Sequence, residues 1–293
     1  MRLPNKFPEF VDIVSSTYPK PSIISSEDEL WKRFFWAVLI NKNRAEAEVN
    51  YVYSILYECG LADRYSLNSD WAEYAVDCLN EAEDKVEEPN VIGKIGAIRK
   101  VKSDIGNIFD TLINADYIFN EMGISVEYLQ KIAFDLDAEK NLVAQIASND
   151  VSTEARYSKR SSHRYKIVGV AYTKALMWLH GCGVALELIP NNSHSIRFLQ
   201  ECDSSFDNDD FYVVNSKFKK ICEKYDLDIH YAGLSLWYYE STKSLISKKD
   251  KRERFNPGML IRIMKENDID MDDLGYYLTD IDYVNKLKDI LNS

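Results

Sequence analysis

Glu29-Leu-Trp-Lys-Arg-Phe-Phe-Trp-Ala-Val-Leu-Ile-Asn-Lys-Asn-Arg-Ala-Glu-Ala-Glu-Val-Asn-Tyr-Val-Tyr-Ser-Ile-Leu56 is the stretch that decides the fold class. Leu30, Phe34, Ala37 and Val38 recur at three- and four-residue steps. After a polar break at Asn41-Lys42-Asn43-Arg44, Val49, Val52, Tyr53 and Leu56 repeat the pattern. That spacing lines apolar side chains along one helical stripe, so the segment predicts two helices joined by a short polar turn. The same period predicts helices over residues 71–88, 98–113, 126–134 behind a Ser125 cap, 141–147, 167–181, 193–202, 215–225 and 231–244. A small helical tail is expected within 257–291, and Asp137-Ala138-Glu139-Lys140 reads as a tight turn or helix start. Strand-like alternation is confined to 184–189 and 211–214, so the expected fold is mainly α.

A chain of 293 residues is long enough for one large domain or two lobes with real cores. Apolar residues make up 46% and charged residues 28%, the balance of a globular protein. Lys174 and Glu187 interrupt the longest apolar run, so no membrane span is expected. The first ten residues are polar with two prolines and do not read as a signal peptide. The five cysteines are odd in number and lack a C-x-x-C pair, which suits free thiols in a reducing cytosol. We therefore expect a cytoplasmic protein. The four histidines contain no H-x-x-x-H pair, and no metal site, redox cofactor or nucleotide loop is expected.

Charge is distributed unevenly. The formal net charge is -11, yet residues 155–186 contain no aspartate or glutamate and carry Arg156, Lys159, Arg160, Arg164, Lys166 and Lys174. This window leads through an apolar stretch into Pro190-Asn191-Asn192-Ser193-His194. Lys94, Arg99, Lys100 and Lys102 form a second basic stretch, and Lys248, Lys249, Lys251, Arg252 and Arg254 a third. If these converge they make a channel that holds duplex phosphates. The 155–186 window has an ordinary alternative: a solvated loop, or pairing with the acidic segments 81–88 and 203–210.

Three segments, in order, resemble the helix-hairpin-helix DNA glycosylase superfamily. Residues 35–49 resemble its early helix-turn-helix, whose polar turn pushes an amide side chain into the DNA stack; Asn43 stands there, or Asn41 in a slipped register. Lys94-Ile95-Gly96 through Gly123 to Leu129 and then Glu139-Lys140-Asn141-Leu142-Val143 is similar to the archaeal 8-oxoguanine glycosylase branch. In that branch a lysine attacks the sugar C1′, and Lys140 matches it. A competing register sets Gly169-Val170 and Lys174 against the Gly-Val-Gly hairpin of the better-known repair enzymes, and Lys166 is a third candidate amine. Residues 189–198 resemble the loop after the hairpin, where the family places a catalytic aspartate; here Asn192 occupies that place. Residues 229–237 resemble the branch's last core helix, with Trp237 in the base pocket but Gly233 where a base-reading aspartate belongs.

The resemblance implies two helical lobes of the helix-hairpin-helix glycosylase type over 1–244, with lobe A about 1–90 plus 203–244 and lobe B about 91–202. Residues 245–293 form a small helical C-terminal extension. It implies a partner, double-stranded DNA carrying a modified or damaged base, which the protein extrudes and excises, with AP lyase activity from a lysine. Asn43, Arg99, Lys100, Lys102, Arg156, Lys159, Arg160, Arg164, Lys166 and His194 would contact DNA. Lys140, Asn192 and Lys174 would carry the chemistry, Asp203 compensating for the lost acid. The alternative is a non-catalytic DNA- or protein-binding module on the same scaffold, which the replacement of the aspartate by Asn192 favours.

Overall fold

The computed structural model describes residues 2–40, 46–86, 92–147, 164–246 and 257–266. Among these the chain is helical without strands. It forms α1 (Phe7–Thr17), α2 (Glu27–Leu39), α3 (Glu46–Glu58), a 3-10 turn (Arg64–Ser66), α4 (Trp71–Asp84), α5 (Ile92–Met122), α6 (Val126–Ile132) and α7 (Leu136–Ile146). There follow α8 (Tyr172–Gly181), α9 (Ser193–Cys202), α10 (Phe211–Lys224), α11 (Ile229–Ile246) and α12 (Pro257–Glu266). Contacts group the chain into two compact units, residues 1–20 with 186–293, and residues 21–185. The seams therefore fall at 20/21 and 185/186. The sequence reading places them at 90/91 and 202/203, but α4 and α5 pack on each other and belong to one unit.

The central unit, residues 21–185, is organised by aromatic side chains. Ser26 caps α2 by accepting from the Glu29 N–H at 3.1 Å, and Glu27, Asp28 and Glu29 complement the helix dipole. Behind this cap Trp31, Phe34 and Phe35 are buried. Phe34 lies 5.1 Å from Phe119 of α5 and 5.4 Å from Trp178 of α8, both edge-on, while Phe119 stacks on Trp178 at 4.9 Å. The buried Trp178 Nε1–H donates to Leu30 O at 3.2 Å, so its one polar atom is satisfied inside the core. Each such ring removes about 150–250 Å² from water, worth roughly 4–6 kcal/mol as an upper bound.

The terminal unit joins α1 to the last helices. Phe7 packs 4.8 Å from Phe198 of α9 and 6.2 Å from Tyr239 of α11. The Arg2 N–H donates to Cys202 O at 2.8 Å, holding the N-terminus in place. Reading the first ten residues as merely polar misses α1, which buries Phe7, Phe10, Val11 and Val14. Leu260, Ile261 and Met264 of α12 are buried in this same core, so residues 257–266 are part of the unit and not an appended tail. Cys182, Cys202 and Cys222 are buried free thiols, one in the central unit and two in this one, each pushed up to about 12 by burial.

Two local expectations fail for the same reason. Residues 211–214 are the first turn of α10, because the Asp210 carboxylate accepts from the Tyr212 and Val213 N–H groups at 2.9 and 3.0 Å. Residues 184–189 form no ladder: Ala185 has φ +59° and 186–187 make a turn, the Ala185 N–H goes to Glu139 in the central unit, and the Ile189 N–H to Asn215 Oδ1 in the terminal unit. Side chains satisfy these backbones where strand partners would have done.

Helix α8 starts five residues later than its apolar pattern suggests. Residues 167–171 form a turn in which Gly169 has φ +76°. A Cβ there would lie 2.6 Å from Thr111 Oγ1 of α5. The Val168 N–H donates to Asn114 Oδ1 at 2.9 Å and the Ile167 N–H to Ile146 O at 2.9 Å. The turn is thus pinned on α5 and on the end of α7.

Gly183, at φ +75°, would place a Cβ 2.4 Å from the Ser22 backbone oxygen, whereas Gly106 in α5 has open space around it. Gly183→Ala is expected to cost roughly 3 kcal/mol or more, and Gly106→Ala to stabilise by about 0.5–1 kcal/mol. Urea unfolding of the two variants checks both signs.

Candidate functional site

The three candidate amines lie in the central unit and occupy different settings. Lys140 sits half-buried on α7. Its neighbour Glu139 is buried, and one carboxylate oxygen accepts from the Phe134 N–H at 3.2 Å and the Ala185 N–H at 2.9 Å. Phe134 and Ala185 both have positive φ, so Glu139 holds two strained backbone positions. Lys166 Nζ donates to Ala144 O near the end of α7, and burial pulls its pKa below the usual lysine range. Lys174, in the first turn of α8, donates from Nζ to Val38 O at 2.9 Å.

The Lys174 contact joins two segments that the sequence reading connects only through the resemblance. Val38 is in the last turn of α2, three residues before Asn41. The polar turn containing Asn41 and Asn43 lies outside the described residues, as do Arg156, Lys159 and Arg160. Lys174 therefore satisfies a carbonyl in the last turn of α2. At its own start, α8 has Ala171 as N-cap with no side-chain hydrogen bond.

Asn192, in the terminal unit, is the N-cap of α9. Its Oδ1 accepts from the His194 and Ser195 N–H groups at 3.0 and 3.1 Å and from Ser195 Oγ at 3.4 Å. The position is a helix start, as the resemblance requires, but the side chain is neutral and its oxygen is engaged. Asp203, the carboxylate expected to compensate, is taken by Lys217 Nζ at 2.5 Å and by Ser205; these bonds hold its pKa well below the usual carboxylate range. Trp237 packs against the terminal core with its ring 5.2 Å from that of Tyr238. A Cβ on Gly233 would lie 3.0 Å from Ile189 and 4.0 Å from Phe218, so this position faces apolar core and offers no room for a base-reading acid.

Several of the described basic side chains are paired with acids. Arg99 Nε donates to Glu83 Oε1 at 2.7 Å, Lys102 bonds Glu83 Oε2 and Asn80 Oδ1, and Lys100 lies 3.2 Å from Glu48 Oε2. Arg164 pairs with Glu121 at 3.1 Å. Lys102 and Glu121 both lie on α5, nineteen residues apart, or about 28 Å along a straight helix. The third stretch, 248–254, lies outside the described residues. Arg99, Lys100, Lys102 and Arg164 each meet in space an acid remote from them in the sequence.

The terminal unit contains a polar network that sequence reading missed. Glu240 of α11 is wholly buried and accepts from Arg197 Nε at 3.1 Å and Lys243 Nζ at 3.3 Å. Lys243 also reaches Glu201 at 2.8 Å, which accepts from the Tyr239 hydroxyl at 3.0 Å. Arg197 Nη2 donates to His194 Nδ1 at 3.2 Å. Burial, then the Arg197 charge, pulls the His194 pKa down. A glutamate within the apolar 231–244 stretch was the available signal.

Among the described residues no group of three or more His, Cys, Asp or Glu side chains has metal-binding geometry, and no helix is long and apolar enough to cross a membrane. Comparison with protein-family models, with curated proteins and with solved structures finds no match.

Asn192→Ala is expected to cost about 1 kcal/mol of stability, whereas Asn192→Asp should retain the cap and gain from the helix dipole. Thermal unfolding at neutral pH distinguishes them.

Proposed function

We propose that the chain is a DNA glycosylase-like protein acting on a modified or damaged base in double-stranded DNA, with Lys174 rather than Lys140 as the reactive amine. The observation that carries this reading is the hydrogen bond from Lys174 Nζ to Val38 O at 2.9 Å. It brings the amine of the helix after a glycine turn to the last turn of α2, three residues before Asn41 in the sequence. Lys140 has no comparable link to that turn among the described residues. The glycine turn at 167–171 also supports the register that pairs Gly169-Val170 with Lys174.

In this reading the neutral amine of Lys174 attacks the sugar C1′, and the bond to the base breaks with its electron pair leaving on the base, which takes up a proton. The resulting aminal opens to a Schiff base, and loss of the C2′ proton then expels the 3′ phosphate by β-elimination.

The second reading, a non-catalytic binding module, is favoured by the engaged amide of Asn192 and by the paired cations. Borohydride trapping on a duplex containing an abasic site separates the two. The expected result is a covalent complex that disappears in Lys174→Gln and survives in Lys140→Gln and Lys166→Gln. No adduct with wild-type protein that still binds the duplex favours the binding module, and no duplex binding at low salt removes both readings.

A further inference from the structure

The Arg197 guanidinium has five N–H donors and no acceptor, so the His194 nitrogen 3.2 Å from it must be receiving a hydrogen bond. Nδ1 of His194 is therefore unprotonated and the ring hydrogen of the neutral form sits on Nε2. Arg197 is itself fixed by Glu240, a wholly buried carboxylate that Lys243 also contacts. Removing a carboxylate from water costs several kcal/mol unless it is paired, so Glu240 has a strong hold on the guanidinium that reaches it. His194 Nε2 has no hydrogen-bond partner among the described residues.

We infer that Arg197 is a positioning residue: anchored by Glu240, it locks His194 as a neutral imidazole that presents an Nε2–H donor to bound DNA, two residues after Asn192. This rests on the reading of the chain as a DNA-binding, glycosylase-like protein. The geometry separates it from the commoner role of arginine in such proteins. A guanidinium that touches phosphate contributes its charge and releases counterions. Here two of its nitrogens are committed to a carboxylate and an imidazole, and the group delivered to the ligand is an uncharged donor. Neutral His194 also suits the setting, because burial and the neighbouring guanidinium both disfavour a second positive charge.

Two measurements test this. Long-range proton–nitrogen correlation spectra of the histidine ring are expected to show His194 of the wild-type protein solely as the Nε2–H tautomer. In Arg197→Met the Nδ1–H form should become populated. If Arg197→Met does not fold, Arg197→Met/Glu240→Gln removes the charge left behind and gives the same readout. The second measurement is duplex affinity across a salt series, using an abasic-site duplex. His194→Ala and Arg197→Met should each weaken binding by roughly three- to tenfold, the value of one hydrogen bond. The double variant should be no weaker than either single one, and the salt slope should stay unchanged. An Nδ1–H tautomer in the wild-type protein overturns the inference. So do additive losses, or a salt slope reduced by about one in Arg197→Met, since these mark a direct phosphate contact. If the wild-type protein binds no duplex, the functional reading fails, while the tautomer still decides whether Arg197 sets His194.

Discussion

The contact of Phe34, Phe119 and Trp178 is the constraint on which the central unit depends. These rings belong to α2, α5 and α8, helices far apart in sequence, and only their close packing fixes the three relative to one another. Once Trp178 is seated with its indole N–H on Leu30 O, the first turn of α8 falls beside the last turn of α2. Lys174 then reaches Val38 O. The same packing brings Thr111 of α5 against the turn before α8, which leaves space there only for glycine at Gly169. An aromatic core thus sets the position of an amine that no local pattern could have placed.

Electrostatics follow a different logic from the one the charge runs suggest. Glu83 binds Arg99 and Lys102, Glu48 faces Lys100 and Glu121 holds Arg164. Exposed pairs of this kind contribute roughly 0–1 kcal/mol each to stability. Their larger effect is on binding: a phosphate that approaches such a cation must displace a carboxylate and then lie beside it. These four cations are therefore weaker sites for a phosphate than free ones would be. Recognition by the proposed route then rests more on shape and on a few directed hydrogen bonds.

The terminal unit supplies directed hydrogen bonds of that kind. Asn192 closes the start of α9 and the buried Glu240 organises Arg197 and Lys243 beneath it. A carboxylate without exposure is costly unless surrounded by donors, and here it has two cations. Polar networks of this type are rigid because breaking any one bond leaves a buried charge uncompensated. Rigidity is what an oriented imidazole requires.

Helical periodicity in the sequence was enough to settle the class of the fold, the Ser125 cap and the limits of α9, because these depend on spacing and on side chains within a turn of each other. It also marked Lys174 and Asn192 as residues of interest. The late start of α8, the helical state of residues 211–214, the burial of α1 and the seams between the units lay beyond it. In each case a partner remote in the chain, or a cap that outweighs a short alternation, makes the decision. The fate of the basic stretches was likewise invisible, since a run free of acids says nothing about the acids that folding brings alongside. Charge pairing and burial act through space at a few ångströms, and only the tertiary structure sets those distances.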